Sequence, residues 1–126
     1  MAGDSENLQE LLKRFKNPPN YGVIENADVV SEETDYSCGD RLKLYFKLEG
    51  ERILDVKFTS EACLFCNASA SFLADLVRGK TLREALSLKD EDLLRFFNTD
   101  SKSPRYRCIV LPLRALRTAF QGLEKR

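Results

Sequence analysis

The chain has 126 residues, 43% hydrophobic and 32% charged, so it can bury a core and is expected to form one domain over residues 1–126. Twenty Lys and Arg balance twenty Asp and Glu, which argues against a phosphate-binding surface and so against a nucleic-acid partner. No apolar run is long enough to span a bilayer and no signal peptide opens the chain, so the expected setting is cytoplasmic, with no membrane partner.

Taken in order, Asp4 or Ser5 is placed to cap a first helix. Its face is Leu8, Leu11, Leu12 and Phe15, and that stripe reads as core packing rather than a partner-binding surface. Asn17-Pro18-Pro19-Asn20 ends it, because a residue before proline is pushed out of helical geometry. A first strand is expected near residues 27–33. Residues 41–48 alternate, with Leu42, Leu44, Phe46 and Leu48 on one face and Lys43, Tyr45 and Lys47 on the other. Glu49-Gly50-Glu51 turns the chain, and Leu54, Val56 and Phe58 alternate again, which makes an antiparallel hairpin. The hairpin brings Cys38-Gly39-Asp40, before one strand, to the same end of the sheet as Cys63, after the next.

Cys63 opens the central helix, near the positive end of its dipole, where a thiolate is favoured. Ala68, Ser69, Ala70 and Ser71 let another backbone or an ion come close, and Gly79 stops the helix. Thr81-Leu82-Arg83-Glu84 reads as a capping box and Asp90 as the cap of another short helix. Residues 98–103 form a polar loop, and the last helix presents Leu113, Leu116, Ala119, Phe120 and Leu123. Pro112 lacks an N–H for the carbonyl of Cys108, so the regular helix is expected to start near Leu111, with Cys108 on an irregular or 3₁₀ lead-in.

The four cysteines allow two disulfides, but in a reducing compartment metal binding or catalysis is favoured. With no histidine in the chain, a metal site must use thiolate, carboxylate or an external ligand, and Ser-His or Cys-His catalysis is excluded. Cys38, Cys63 and Cys108 each lie at the edge of a regular element. With Asp40 they make three soft donors and one hard one, a set suited to zinc or to iron in an iron–sulfur cluster. Gly39 lets the backbone turn tightly enough for Cys38 and Asp40 to point to one centre. The blander alternatives are idle thiols, a turn role for Asp40 and a surface role for Arg107. Beside Cys108, Arg107 instead supplies a fixed positive charge that stabilises thiolate or persulfide. Cys66 reads as a small core hydrophobe rather than a fifth ligand or a resolving thiol, and Lys80 as a solvated charge.

These residues resemble the IscU, SufU and NifU N-terminal scaffolds of iron–sulfur cluster assembly. The likeness runs from Asn17-Pro18-Pro19-Asn20-Tyr21-Gly22 through Ser37-Cys38-Gly39-Asp40, Cys63, Ala68-Ser69-Ala70-Ser71 and Arg78-Gly79-Lys80-Thr81-Leu82 to Arg107-Cys108. It implies an α+β fold, a three-stranded antiparallel sheet with helices packed on it. It implies that Cys38, Asp40, Cys63 and Cys108 hold a nascent [2Fe-2S] cluster, or zinc in its absence. The implied partners are a cysteine desulfurase, which supplies persulfide sulfur, and the apo-proteins that accept the cluster; a homodimer is left open. The protein is then a scaffold rather than an enzyme. The alternatives are a SufU-like zinc-dependent sulfurtransferase partner of a desulfurase and a structural zinc domain. Cys108 is the expected persulfide acceptor in a scaffold of the IscU kind, and Cys38 in a SufU-like partner. The chain departs from the family in three places. Many members have histidine where Arg107 stands, although the SufU branch has a basic residue there. The SufU insertion before the last helix has no room in this chain. The chaperone-recognised Leu-Pro-Pro-Val motif is replaced by Ser101-Lys102-Ser103-Pro104.

Overall fold

A computed structural model describes the backbone of residues 2–37 and 39–124, with side chains described for 8–37 and 39–121. The elements run α1 (Ala2–Lys16), β1 (Val29–Asp35), β2 (Asp40–Glu49), β3 (Arg52–Glu61), α2 (Leu64–Val77), α3 (Leu82–Leu86), α4 (Asp90–Phe96) and α5 (Tyr106–Glu124). The three strands form one antiparallel sheet in the order β1-β2-β3. The expected α+β architecture is therefore observed.

The sheet buries the alternating set Leu42, Leu44 and Phe46 of β2, as its period of two requires. β3 departs from the expected alternation. Leu48 pairs with Ile53 but Lys47 pairs with Asp55, so Leu54 is an extra residue in a bulge. Ile53 therefore joins Val56 and Phe58 in the core, while Leu54 is 45% exposed. β1 begins two residues later than expected, after a turn closed by the Ala27 N–H to the Ile24 carbonyl, and it extends to Asp35.

α2 and α5 pack against each other and against the sheet. Their inner faces carry Ala70, Leu73, Ala74 and Val77 from α2 and Ile109, Leu111, Leu113 and Leu116 from α5, all buried. The Phe120 ring lies edge-on to Phe46, 4.8 Å between centroids. Leu123 lies outside the residues with described side chains. The segment between α1 and β1 covers the edge of β3: the Phe58 N–H donates to the Asn20 carbonyl and the Gly22 N–H to the Phe58 carbonyl. Asn20, in the left-handed region at φ +73°, donates from its amide to the Ser71 carbonyl and to Asp75, and accepts from Arg78. This locks α2 to the sheet.

Asp4 and Ser5 fall within the backbone span of α1 rather than ahead of it, and their side chains lie outside those described. Only part of its apolar stripe is covered, since Leu8 and Leu12 are 57% and 49% exposed. The helix is instead held by buried Arg14, which donates to Ser71 Oγ and Asp75 Oδ2, each at 2.7 Å, with Phe15 edge-on to Phe65. The Thr81 capping box is present. At α4 the cap is Lys89, whose N–H donates to Asp92, and Asp90 is already helical. Three acidic residues in that first turn face the helix's positive end.

Pro112 does not delay α5. The helix already contains Cys108, and the Ile109 N–H reaches the Arg105 carbonyl at 3.0 Å, so the expected irregular lead-in is absent. Tertiary packing outweighs the local preference, because the flanking residues Ile109, Val110, Leu111 and Leu113 are all buried. The buried Ser69 hydroxyl donates to the Ile109 carbonyl at 2.5 Å, tying α2 to α5.

Candidate metal centre

Three elements end at one place. Asp40 is the first residue of β2, Cys63 is the N-cap of α2 just beyond β3, and Cys108 lies in the first turn of α5. Arg41 pairs with Glu61, so the β2–β3 register brings Asp40 next to the entry of α2. Asp40 Oδ1 accepts the Cys63 N–H at 3.3 Å, so the carboxylate supplies the N-terminal partner that the cysteine side chain does not. The two sulfurs and a carboxylate oxygen lie within 4.8 Å of one another.

The electrostatics at this point suit a cation. Cys108 is 7% exposed and its thiol pKa is pushed well up, first by burial and then by the adjacent Cys63 thiol and Asp40 carboxylate. Asp40 Oδ2 is buried with no hydrogen-bond partner among the described residues. A buried oxygen left unpaired is costly, and a metal would relieve it while favouring the thiolates. The residues present thus fit a cation taken by mixed sulfur and oxygen donors.

Of the expected site residues, Asp40, Cys63 and Cys108 come together. Cys38 lies outside the described residues; its neighbours Tyr36, Ser37 and Gly39 form the turn between β1 and β2, and Gly39 has φ +80°. The Arg107 guanidinium, expected beside the Cys108 thiol, reaches the β1–β2 turn instead. Its Nη1 donates to Ser37 Oγ at 3.0 Å and lies 3.6 Å from Asp35 Oδ1. Cys66 is fully buried in the core and is not part of the group. Lys80 is exposed.

Two residues escape the sequence reading. Asp35 is a buried carboxylate held below the usual range, chiefly by the Ser37 hydroxyl and against the opposing effect of burial. It pairs with Asp40 across β1 and β2, and extending the first strand by two residues would have placed it there. Ser69 is seen as small but not as the partner of the Ile109 carbonyl, a long-range contact with no local signal.

The NifU-like N terminal domain model matches residues 6–126. The chain belongs to this family. Within it, the chain is 39% identical over 80 residues to the zinc-dependent sulfurtransferase SufU of Bacillus subtilis (strain 168), covering 64% of this chain and 54% of that protein. It is 33% identical over 111 residues to the iron–sulfur cluster assembly scaffold protein IscU 1 of Archaeoglobus fulgidus, covering 88% and 72%. Against the nitrogen fixation protein NifU of Azotobacter chroococcum mcd 1 it is 33% identical over 123 residues, 94% of this chain but 40% of that one. The chain thus spans about half or less of the SufU and NifU relatives. Among solved structures, the NifU-like fold is shared with a putative iron–sulfur cluster assembly scaffold protein for the SUF system from Fervidobacterium islandicum AW-1. That match has a TM-score of 0.72 and 30% identity, covering 88% of this chain and 93% of the other. The expected kinship with the IscU, SufU and NifU proteins is met. Among the described residues no helix is long and apolar enough to cross a membrane.

Proposed function

We propose that this NifU-like domain is an iron–sulfur cluster assembly scaffold that builds a nascent [2Fe-2S] cluster on Cys38, Asp40, Cys63 and Cys108 and passes it to acceptor apo-proteins. The observation that carries the reading is the convergence of Asp40, Cys63 and Cys108, whose ligand atoms lie within 4.8 Å of one another. Cys38 joins the set by sequence, two positions from Asp40 on the turn that enters β2. On this reading each residue has a task. The entry of α2 presents Cys63 at the helix N-cap. Asp40 contributes the one oxygen, a poorer donor for cluster iron than sulfur, and so the corner at which the cargo is released. Iron and sulfide are the cargo, and the fold around them stays intact.

Sulfur arrives from a cysteine desulfurase persulfide. An acceptor thiolate attacks the outer sulfur, a new S–S bond forms, the old one breaks, and the desulfurase leaves as thiolate. Converting that sulfur to sulfide takes two electrons per atom from a thiol or an electron-transfer donor.

A second reading is a zinc-dependent sulfurtransferase partner of the desulfurase, with Cys38 as acceptor. It is favoured by the SufU identity and by a basic residue, Arg107, where many relatives have histidine. Anaerobic reconstitution with iron, cysteine and a desulfurase separates the two. The scaffold reading expects visible charge-transfer bands, with two irons and two sulfides per site. Persulfide confined to Cys38 in a zinc-loaded protein that never gains visible absorbance selects the second reading. A chelator that unfolds the chain outright would leave only a structural zinc role.

A further inference from the structure

Asp35 ends β1 with 3% of its surface exposed. Among the described residues, its hydrogen bonds run mainly to the turn that follows. Its Oδ1 accepts the Ser37 N–H at 2.9 Å and the Ser37 hydroxyl at 2.6 Å, and its carbonyl accepts the Gly39 N–H at 2.8 Å. The Ser37 hydroxyl in turn accepts from Arg107 Nη1 at 3.0 Å, and the guanidinium stands 3.6 Å from Asp35 Oδ1. The turn of Tyr36, Ser37 and Gly39 is thus tied through one carboxylate to α5, at the residue beside Cys108.

An asparagine at this position would accept the same two Ser37 bonds without placing a charge inside the protein. The charge is costly here, since Oδ2 is buried with no partner. What the charge adds is attraction to Arg107, with a smaller contribution from Arg114. The Arg107 side chain is 67% exposed and has water as an easy alternative, so something must hold it on the turn. Tyr36, by contrast, is 92% exposed and anchors nothing.

We infer that Asp35 is the positioning residue of the centre, holding Arg107 against the β1–β2 turn so that the entry to β2, with Asp40, and the start of α5, with Cys108, keep one relative placement. What the thiols hold rests on the function proposed above; the clamp itself does not.

The test compares Asp35→Asn, Arg107→Gln and the double variant. Two quantities are read: amide hydrogen exchange of residues 36–40 in metal-free protein, and the rate of zinc release to a chromophoric chelator. Asp35→Asn keeps the Ser37 bonds but loses the ion pair. It is expected to speed exchange in the turn and zinc release by about tenfold each, the low end for a residue that orients a metal ligand. Arg107→Gln should do the same, and the double variant should be no worse than either single one, because both remove one linkage. Wild-type exchange and release in Asp35→Asn, or effects that multiply in the double variant, would overturn the inference. If Asp35→Asn does not fold, the cycle is run with Ser37→Ala and Arg107→Gln: non-additive exchange supports the clamp and additive exchange refutes it. A chain that takes up neither zinc nor iron would sink the metal-centre reading, while exchange in the metal-free protein still decides the clamp.

Discussion

Arg14→Ala should release α1 from the body of the protein while leaving the sheet, α2 and α5 folded. The guanidinium gives up a buried bond to Ser71 Oγ and ion pairs to Asp75 and Glu10, each at 2.7 Å. It also leaves the rings of Phe72 and Phe96, 5.6 and 5.8 Å away. A hydrogen bond from a charged donor to a buried group is worth about 1.5–3 kcal/mol. The two carboxylates are 40% and 41% exposed, so each pair counts for less than about 1 kcal/mol. The ring contacts add about 0.5–1 kcal/mol. Relief from burying a guanidinium whose Nε has no partner offsets some of this, which leaves roughly 3 kcal/mol at one contact. Residue-resolved hydrogen exchange reads it directly: α1 amides should approach unprotected rates while β2 amides keep theirs. Unchanged protection in α1, or loss across the whole chain, would refute the reasoning. Acid should mimic the variant. Burial raises the Asp75 pKa, but the Arg14 and Asn20 hydrogen bonds and the Arg14 charge outweigh it, so the folded value lies below the ordinary one. Its contribution is then complete above the unfolded value, about 4, and is lost as pH falls through the folded value.

Other substitutions separate the roles of neighbouring residues. Asp40→Ala should lengthen the half-life of a bound cluster in transfer to an apo-ferredoxin, because the oxygen corner is the easiest to exchange; faster transfer would contradict it. Ile53→Ala should cost about 2–5 kcal/mol in urea denaturation while Leu54→Ala costs less than about 0.5, since the bulge buries the first and exposes the second. Cys66→Ala should leave metal stoichiometry unchanged and lower stability by about 1 kcal/mol, as a core position would; loss of a bound metal would make it a ligand.

The parts of the fold that follow a strict period are readable without coordinates. β2 alternates through Leu42, Leu44 and Phe46, although Tyr45 on the other face is buried as well and Leu48 only half-buried, and once it is placed the hairpin carries Asp40 to Cys63. Thr81 and Glu84 announce their cap because both partners lie within one turn. What stays hidden depends on distant partners. Leu54 looks like a core residue until the register shift opposite Leu48 turns Ile53 inward. Leu8 and Leu12 share a helical face with Phe15, but α1 docks through a buried arginine, a residue type that reads as solvent-facing. Asp35 looks like a loop residue until the ladder continues to Asp40.

Pro112 shows the same competition with consequences for the chemistry. A proline inside a helix costs about 3 kcal/mol, enough to end an isolated one. Burying Ile109, Leu111 and Leu113 is worth about 1.5–3 kcal/mol each, and only a continuous helix keeps them on the core. Packing therefore wins, and Cys108 lies in the first turn of a helix that is already hydrogen-bonded at Ile109. It is 7% exposed, while Cys63 at its helix N-cap is half-buried. In metal-free protein Cys63 should accordingly react with iodoacetamide before Cys108, by about tenfold or more, because attack needs both access and thiolate. Peptide mapping of a time course measures the order. If Cys108 is modified first, the start of α5 opens readily in solution, and the looser lead-in expected from Pro112 returns as the conformation in which sulfur is accepted.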